Sequence, residues 1–168
     1  MSTNNVYLVD TNILVEAYNR YYSFDIAPTF WSSLVDKARA GQVVSIDRVK
    51  AEIDGYGEDD ALKQWVNREF GEWFVPTDNP QVIGAYREVI GWATGHDQFT
   101  PAAKAEFASV ADSWLVACAK ANNYVLVTHE SFSAGAKKRV LIPNACQAHN
   151  IPHMNTFDMM RRLNVRLG

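Results

Sequence analysis

The strongest constraint on this chain is an alternation. Short, continuous, β-branched apolar runs are separated by stretches with the period of a helix, from one end to the other. The runs are Val6 to Val9, Val43 to Ile46, Tyr124 to Val127 and Val140 to Ile142, with a weaker one at Phe74 to Thr77. Runs of this kind match strands buried on both faces, as in a parallel sheet, and parallel strands need long crossover connections. The expected fold is therefore an α/β three-layer sandwich with a short central parallel sheet flanked by helices. Helix starts are legible at Asn79 before Pro80, at Thr100 before Pro101 and at Asp47 after the second run. No linker, repeat or low-complexity block interrupts residues 1–168, so one domain is expected. Region 79–108 reads as helical, either covering the sheet or forming a lid over a cleft.

A chain of 168 residues, 48% hydrophobic and 21% charged, is that of an ordinary globular domain, which excludes a disordered chain, a collagen-like repeat and a disulfide scaffold. Its core needs no metal staple, so a bound metal would serve chemistry. Cys118 and Cys146 lie far apart, outside any CxxC pair, which reads as a reduced, cytoplasmic setting. There is no apolar run long enough to span a membrane and no signal-peptide pattern, so no membrane partner is expected. The net charge of −3 is divided unevenly. Residues 1–130 hold ten Lys and Arg against eighteen Asp and Glu, whereas residues 131–168 hold six against Asp158 alone. That basic end, with Lys137, Lys138 and Arg139, reads either as a phosphate-facing surface or as a solvated one.

In an open parallel sheet the ligand cleft lies beyond the carboxyl ends of the strands. Acids stand there repeatedly: Asp10 after VYLV, Asp47 and then Glu52 after VVSI, and Glu130 after YVLV. Asp112 opens the helix that leads into YVLV, with Leu115, Cys118 and Ala119 on an apolar stripe behind it. Each has a structural alternative. Asp10 reads equally as a helix cap, Asp112 has capping-box spacing from Ser109, Glu52 is one of several surface acids, and Glu130 reads as a loop acid. Brought together, they repel. Two carboxylates at 4 Å cost roughly 1 kcal/mol in water and roughly 4 kcal/mol at an effective dielectric of 20. Four such groups require a cation, and an all-oxygen donor set selects Mg²⁺ or Mn²⁺ over zinc.

VYLVDTNILVEA, the acid in RVKAEI, ADSWLVACAKANNYVLVTHE and LIPNACQ, in that order, resemble a PIN domain over nearly the whole chain. EAYNRYYSFDIAPTFW is similar to a bacterial PIN-like subgroup akin to VapC toxins. The resemblance implies a sheet in the order 3-2-1-4-5 and a metal-dependent endoribonuclease, often the toxin of a toxin-antitoxin pair, that leaves 5′-phosphate and 3′-hydroxyl ends. By that resemblance Asp10, Glu52 and Asp112 are metal-holding catalytic acids. Glu130 is the fourth, a glutamate where the family usually has aspartate, with Thr128 beside it. Asn12 would steady Asp10 by hydrogen bonding, and Lys137, Lys138 and Arg139 would hold RNA. The implied partners are an RNA substrate, an antitoxin protein and, as one option, a second copy of the chain.

Two rivals remain. One is a degenerate PIN-like module that binds RNA or protein without cleaving it. The other is a haloacid-dehalogenase-like phosphatase with Asp10 as nucleophile, although that pattern needs an acid where Asn12 stands. The aromatics Tyr18, Tyr21, Tyr22, Phe24, Phe30 and Trp31 read first as core or subunit contact and second as a base-stacking surface. Trp65, Trp73, Trp92 and Trp114 read as core or lid packing. His149 and His153 are four apart, but Pro152 between them argues against a helical metal pair, and His129 reads as a surface residue. Spacing does not settle whether Glu16 faces the cleft.

Overall fold

The structure is a computed structural model and describes residues 4–167. Five strands, β1 (Tyr7–Val9), β2 (Val43–Ile46), β3 (Phe74–Val75), β4 (Val125–Val127) and β5 (His153–Met154), form one sheet in the order β3-β2-β1-β4-β5. Every pairing is parallel, with Tyr7 opposite both Val43 and Val125, Ser45 opposite Phe74 and Leu126 opposite His153. This is the 3-2-1-4-5 order expected from the resemblance. β1 and β4, fully buried, are the continuous apolar runs that central parallel strands should be.

Nine α-helices among the described residues make the crossovers and flank the sheet: α1 (Thr11–Glu16), α2 (Pro28–Arg39), α3 (Asp47–Asp54), α4 (Ala61–Trp65), α5 (Pro80–Thr94), α6 (Pro101–Ser109), α7 (Ala111–Asn122), α8 (Ile142–Ala148) and α9 (Thr156–Arg162). Asn79 and Thr100 cap α5 and α6 through their side-chain oxygens, whereas Asp47 is the first residue of α3. α7 is the central helix. Seven of its twelve residues are buried, including Leu115, Cys118 and Ala119. α5 and α6, which make up most of region 79–108, pack against it. Both cysteines are free and buried, and burial pushes their thiols up to about 11 for Cys118 and about 12 for Cys146.

The fifth strand is not where the apolar pattern points. Val140 lies in a loop and Ile142 begins α8, although both are buried. Pro143 is the reason: it has no N–H to give a ladder, and its fixed φ suits the first turn of a helix. The edge position goes to His153 and Met154, two residues that are too few to show a period. Pro152 supplies the carbonyl that accepts from Leu126 N.

The aromatic stretch is mostly core. Phe30 and Trp31 are buried, and Trp31 meets Phe24 and Trp65 at ring-centre distances of 4.5 and 4.8 Å. Tyr21 is the exception at 48% exposure. It packs against His129 and Phe157, so His129 is half-buried rather than a surface residue.

Candidate active site

β1 ends at Val9, and the chain turns at Asp10 into α1. The carboxylate is 2% exposed, and its Oδ1 accepts from Ile13 N at 3.1 Å, capping the helix. Its Oδ2 meets no donor at hydrogen-bond geometry, although the Thr128 hydroxyl lies near enough to favour the ionised carboxylate. A buried carboxylate oxygen without a partner is costly, so something else must account for it. Burial raises the pKa of Asp10 to about 6. The Thr128 hydroxyl and the Ile13 N–H oppose that rise, and the charge of Glu130 adds to it.

Glu52 projects from α3 and links the two neighbouring segments. Its Oε2 accepts from the Thr11 hydroxyl at 2.7 Å and its Oε1 from Ala111 N at 3.1 Å. One side chain therefore joins the residue after Asp10 to the residue before Asp112. The capping box from Ser109 does not form: the Ser109 hydroxyl donates to Glu106 O, and Glu52 takes the first N–H of α7 from outside.

Asp112, in the first turn of α7, is raised to about 7. Burial is the largest cause, followed by the charges of Glu130 and Asp10, with Arg139 opposing and Glu52 adding a little. All three of the other acids thus act on Asp112, which makes the cluster one electrostatic unit. Glu130 has both oxygens engaged. Oε2 accepts from Ile142 N, the start of α8, at 2.7 Å, and Oε1 pairs with Arg139 Nη2 at 2.9 Å. The same Nη2 is 3.8 Å from Asp112 Oδ2. Thr128 is buried, and its hydroxyl accepts from Glu130 N at 3.1 Å.

The Asn12 side chain is exposed and makes no hydrogen bond among the described residues. From that turn Asp10 accepts from Ile13 N, and the backbone N–H of Asn12 also favours its charged form, while α1 starts immediately and turns the Asn12 side chain outward. Arg139, half-exposed, pairs with Glu130 and approaches Asp112. Lys137 and Lys138 are exposed and pair with no carboxylate among the described residues. Glu16 pairs with Arg20 at 3.0 Å. His149 ends α8 and His153 lies in β5, so they share no helix. Thr11, which the sequence did not single out, is part of the site, and its adjacency to Asp10 was the available signal.

Among the described residues no three His, Cys, Asp or Glu side chains stand close enough to hold a metal ion together. The donor chemistry nevertheless fits a hard divalent cation, because Asp10 offers a buried oxygen that meets no donor at hydrogen-bond geometry and Asp112 is raised by burial and then by the like charges of Glu130 and Asp10. Arg139 is the cation that now offsets part of that charge.

The sequence family described as a domain of unknown function, DUF4411, matches residues 7–167. No curated protein matches the chain. Among solved structures, the crystal structure of FitAcB from Neisseria gonorrhoeae superposes with a TM-score of 0.54 at 15% identity, over 90% of this chain and 99% of that one. At that identity the likeness is one of fold.

Proposed function

Because this chain belongs to the DUF4411 family, whose function is not described, its chemistry has to be read from the site, and we propose that it is a divalent-metal-dependent endoribonuclease. The observation that carries this reading is the fully buried Asp10 carboxylate, with an oxygen that meets no donor at hydrogen-bond geometry, in the same electrostatic cluster as Glu52, Asp112 and Glu130. Asp10 and Asp112 would hold Mg²⁺ or Mn²⁺. Glu52, pinned by Thr11 and Ala111, would brace them and take part in the ligand shell. Glu130, fixed to Ile142 N, would orient the attacking water, with Thr128 holding the backbone of that turn. The bound metal would supply a more acidic water and stabilise charge on the phosphoryl oxygens during in-line displacement. Lys137 and Lys138 would hold the RNA backbone without reading its sequence.

The likeness of fold to FitAcB supports the further proposal that the protein is the VapC-like toxin of a toxin-antitoxin pair, acting in the cytoplasm with an antitoxin partner. A cavity of about 350 Å³ with Phe24, Trp31 and Trp65 in its wall and the charged side chains of Asp36, Arg39 and Glu69 beside them is a mixed recess that a partner, or a second copy, could fill. Among the described residues no helix is long and apolar enough to cross a membrane.

RNA cleavage with Mn²⁺ present tests the reading. Asp10→Asn should lose activity by about 100-fold or more, the scale on which removal of a catalytic electrostatic group acts. Wild-type rates in that variant would remove Asp10 from the mechanism. One observation favours a second reading, a non-catalytic module: Arg139 already offsets two of the acids. Melting temperature against Mn²⁺ separates the two. The nuclease reading expects a rise in the wild type, and in Arg139→Gln at lower Mn²⁺, because a ligand that prefers the native state stabilises it. No rise in either protein favours the module. The phosphatase is disfavoured, because Asn12 stands where its pattern needs a second acid.

A further inference from the structure

Arg48 stands on α3 one turn before Glu52, so both side chains leave the same face of the helix. Its guanidinium carbon lies 3.8 Å from the centre of the Trp114 ring. Trp114 stacks in turn on Tyr86, with ring centres 3.8 Å apart and planes 10° from parallel. Arg48 Nε donates to the Thr77 hydroxyl at 3.1 Å. Thr77 is 1% exposed and is itself held by Asp47, which accepts from its hydroxyl at 2.8 Å and from its N–H at 3.1 Å. With its proton committed to Asp47, the Thr77 oxygen can only accept from Arg48. The guanidinium is therefore fixed by a stack and by a hydrogen bond from Nε.

What it lacks is a partner at the other end. Among the described residues nothing hydrogen-bonds its two terminal amino groups and no carboxylate pairs with it. Glu52 lines the same cavity, but its oxygens turn to the Thr11 hydroxyl and the Ala111 N–H, and it makes no ion pair with Arg48 among the described residues. That cavity, about 320 Å³, is lined by Arg48, Ala51, Glu52, Ser109, Ala111 and Trp114. It opens beside the acid cluster, since Glu52 belongs to both. A held guanidinium with an unsatisfied fork matches a phosphate, to which it donates two parallel hydrogen bonds. A base stacked on the indole fits less well, because a phenol and a guanidinium each lie 3.8 Å from its centre.

We propose that Arg48, on its Trp114–Tyr86 stack, binds a backbone phosphate of single-stranded RNA next to the bond that is cut. This rests on the ribonuclease reading and names the contact that places the substrate over the acids. The test uses the full chain carrying Asp10→Asn to prevent cleavage, with a short fluorescein-labelled single-stranded RNA followed by anisotropy over a range of salt. Adding Arg48→Gln should weaken binding about tenfold and lower the slope of log affinity against log salt by about 0.7, one phosphate's worth on a single strand. Arg48→Lys, which keeps the charge and loses the stacked fork, should retain the slope and recover only part of the affinity. In the active protein Arg48→Gln should raise KM and leave kcat nearly unchanged.

An unchanged slope and affinity in Arg48→Gln would overturn the proposal. So would lost affinity with an unchanged slope, which would mean that Arg48 acts by packing Trp114. If the Asp10→Asn parent binds no RNA, the ribonuclease reading itself fails, an outcome distinct from either of these.

Discussion

Asp10 divides its work between two oxygens. Oδ1 caps α1, and Oδ2 is left over in a buried, negative neighbourhood. The pKa values of Asp10 and Asp112 are raised, to about 6 and about 7 from an ordinary 3.8. Between those limits the native state holds more protons than the unfolded one, so stability is greatest below the ordinary carboxylate range and falls as pH rises through 6 and 7. Urea unfolding without metal should therefore show a less stable protein at pH 8 than at pH 5. Asp10→Asn should recover about 1 kcal/mol of that difference, because it removes the buried charge and keeps the cap. An identical pH dependence in the variant would show that Asp10 does not pay for its burial. Asp10→Ala should cost about 1 kcal/mol more than Asn through loss of the cap.

At the scale of elements, the acids join segments distant in sequence. Glu52 on α3 accepts the first N–H of α7, and Glu130 after β4 accepts the first N–H of α8. Both helix starts lack side-chain caps of their own. The two glutamates therefore supply acceptors that the local sequence does not, which is why the capping-box reading of Ser109 fails. Glu52→Ala and Glu130→Ala should each cost roughly 1–2 kcal/mol, from an N–H left without its partner. Amide hydrogen exchange should quicken at Ala111 in the first variant and at Ile142 in the second. Unaltered exchange at those two amides would mean the helix starts do not depend on the glutamates. Element identity was legible for β1, β2, β4, α5 and α6, where apolar runs or capping residues act locally. It was not legible at 140–154, because burial of Val140 and Ile142 produces the same apolar signal in a loop and helix as in a strand, and β5 is only two residues long.

For the molecule as a whole, the charge is segregated along the chain and then partly folded back on itself. Arg139 from the basic end lies among acids from the N-terminal part, leaving Lys137 and Lys138 as exposed cations. If those lysines hold RNA, replacing both with alanine should weaken binding to all sequences alike. It should also lower the salt slope by roughly one to one and a half. A change confined to one RNA sequence would argue instead for base reading.

That β1, β2 and β4 are strands, and that acids stand at their ends, follows from the chain read by itself, because continuous apolar runs and the residues just beyond them are local properties of a parallel sheet, whereas the order of the strands is what the resemblance to a PIN domain implied. Hydrogen-bond partners are not local. That Glu52 closes the gap between Thr11 and Ala111, that Arg139 enters the acid cluster, and that Arg48 rests on Trp114 with its fork unsatisfied depend on contacts spanning from 9 to 66 positions of chain. Only packing the helices around the sheet brings such groups within a few ångströms, and with them the burial that raises the pKa values of Asp10 and Asp112.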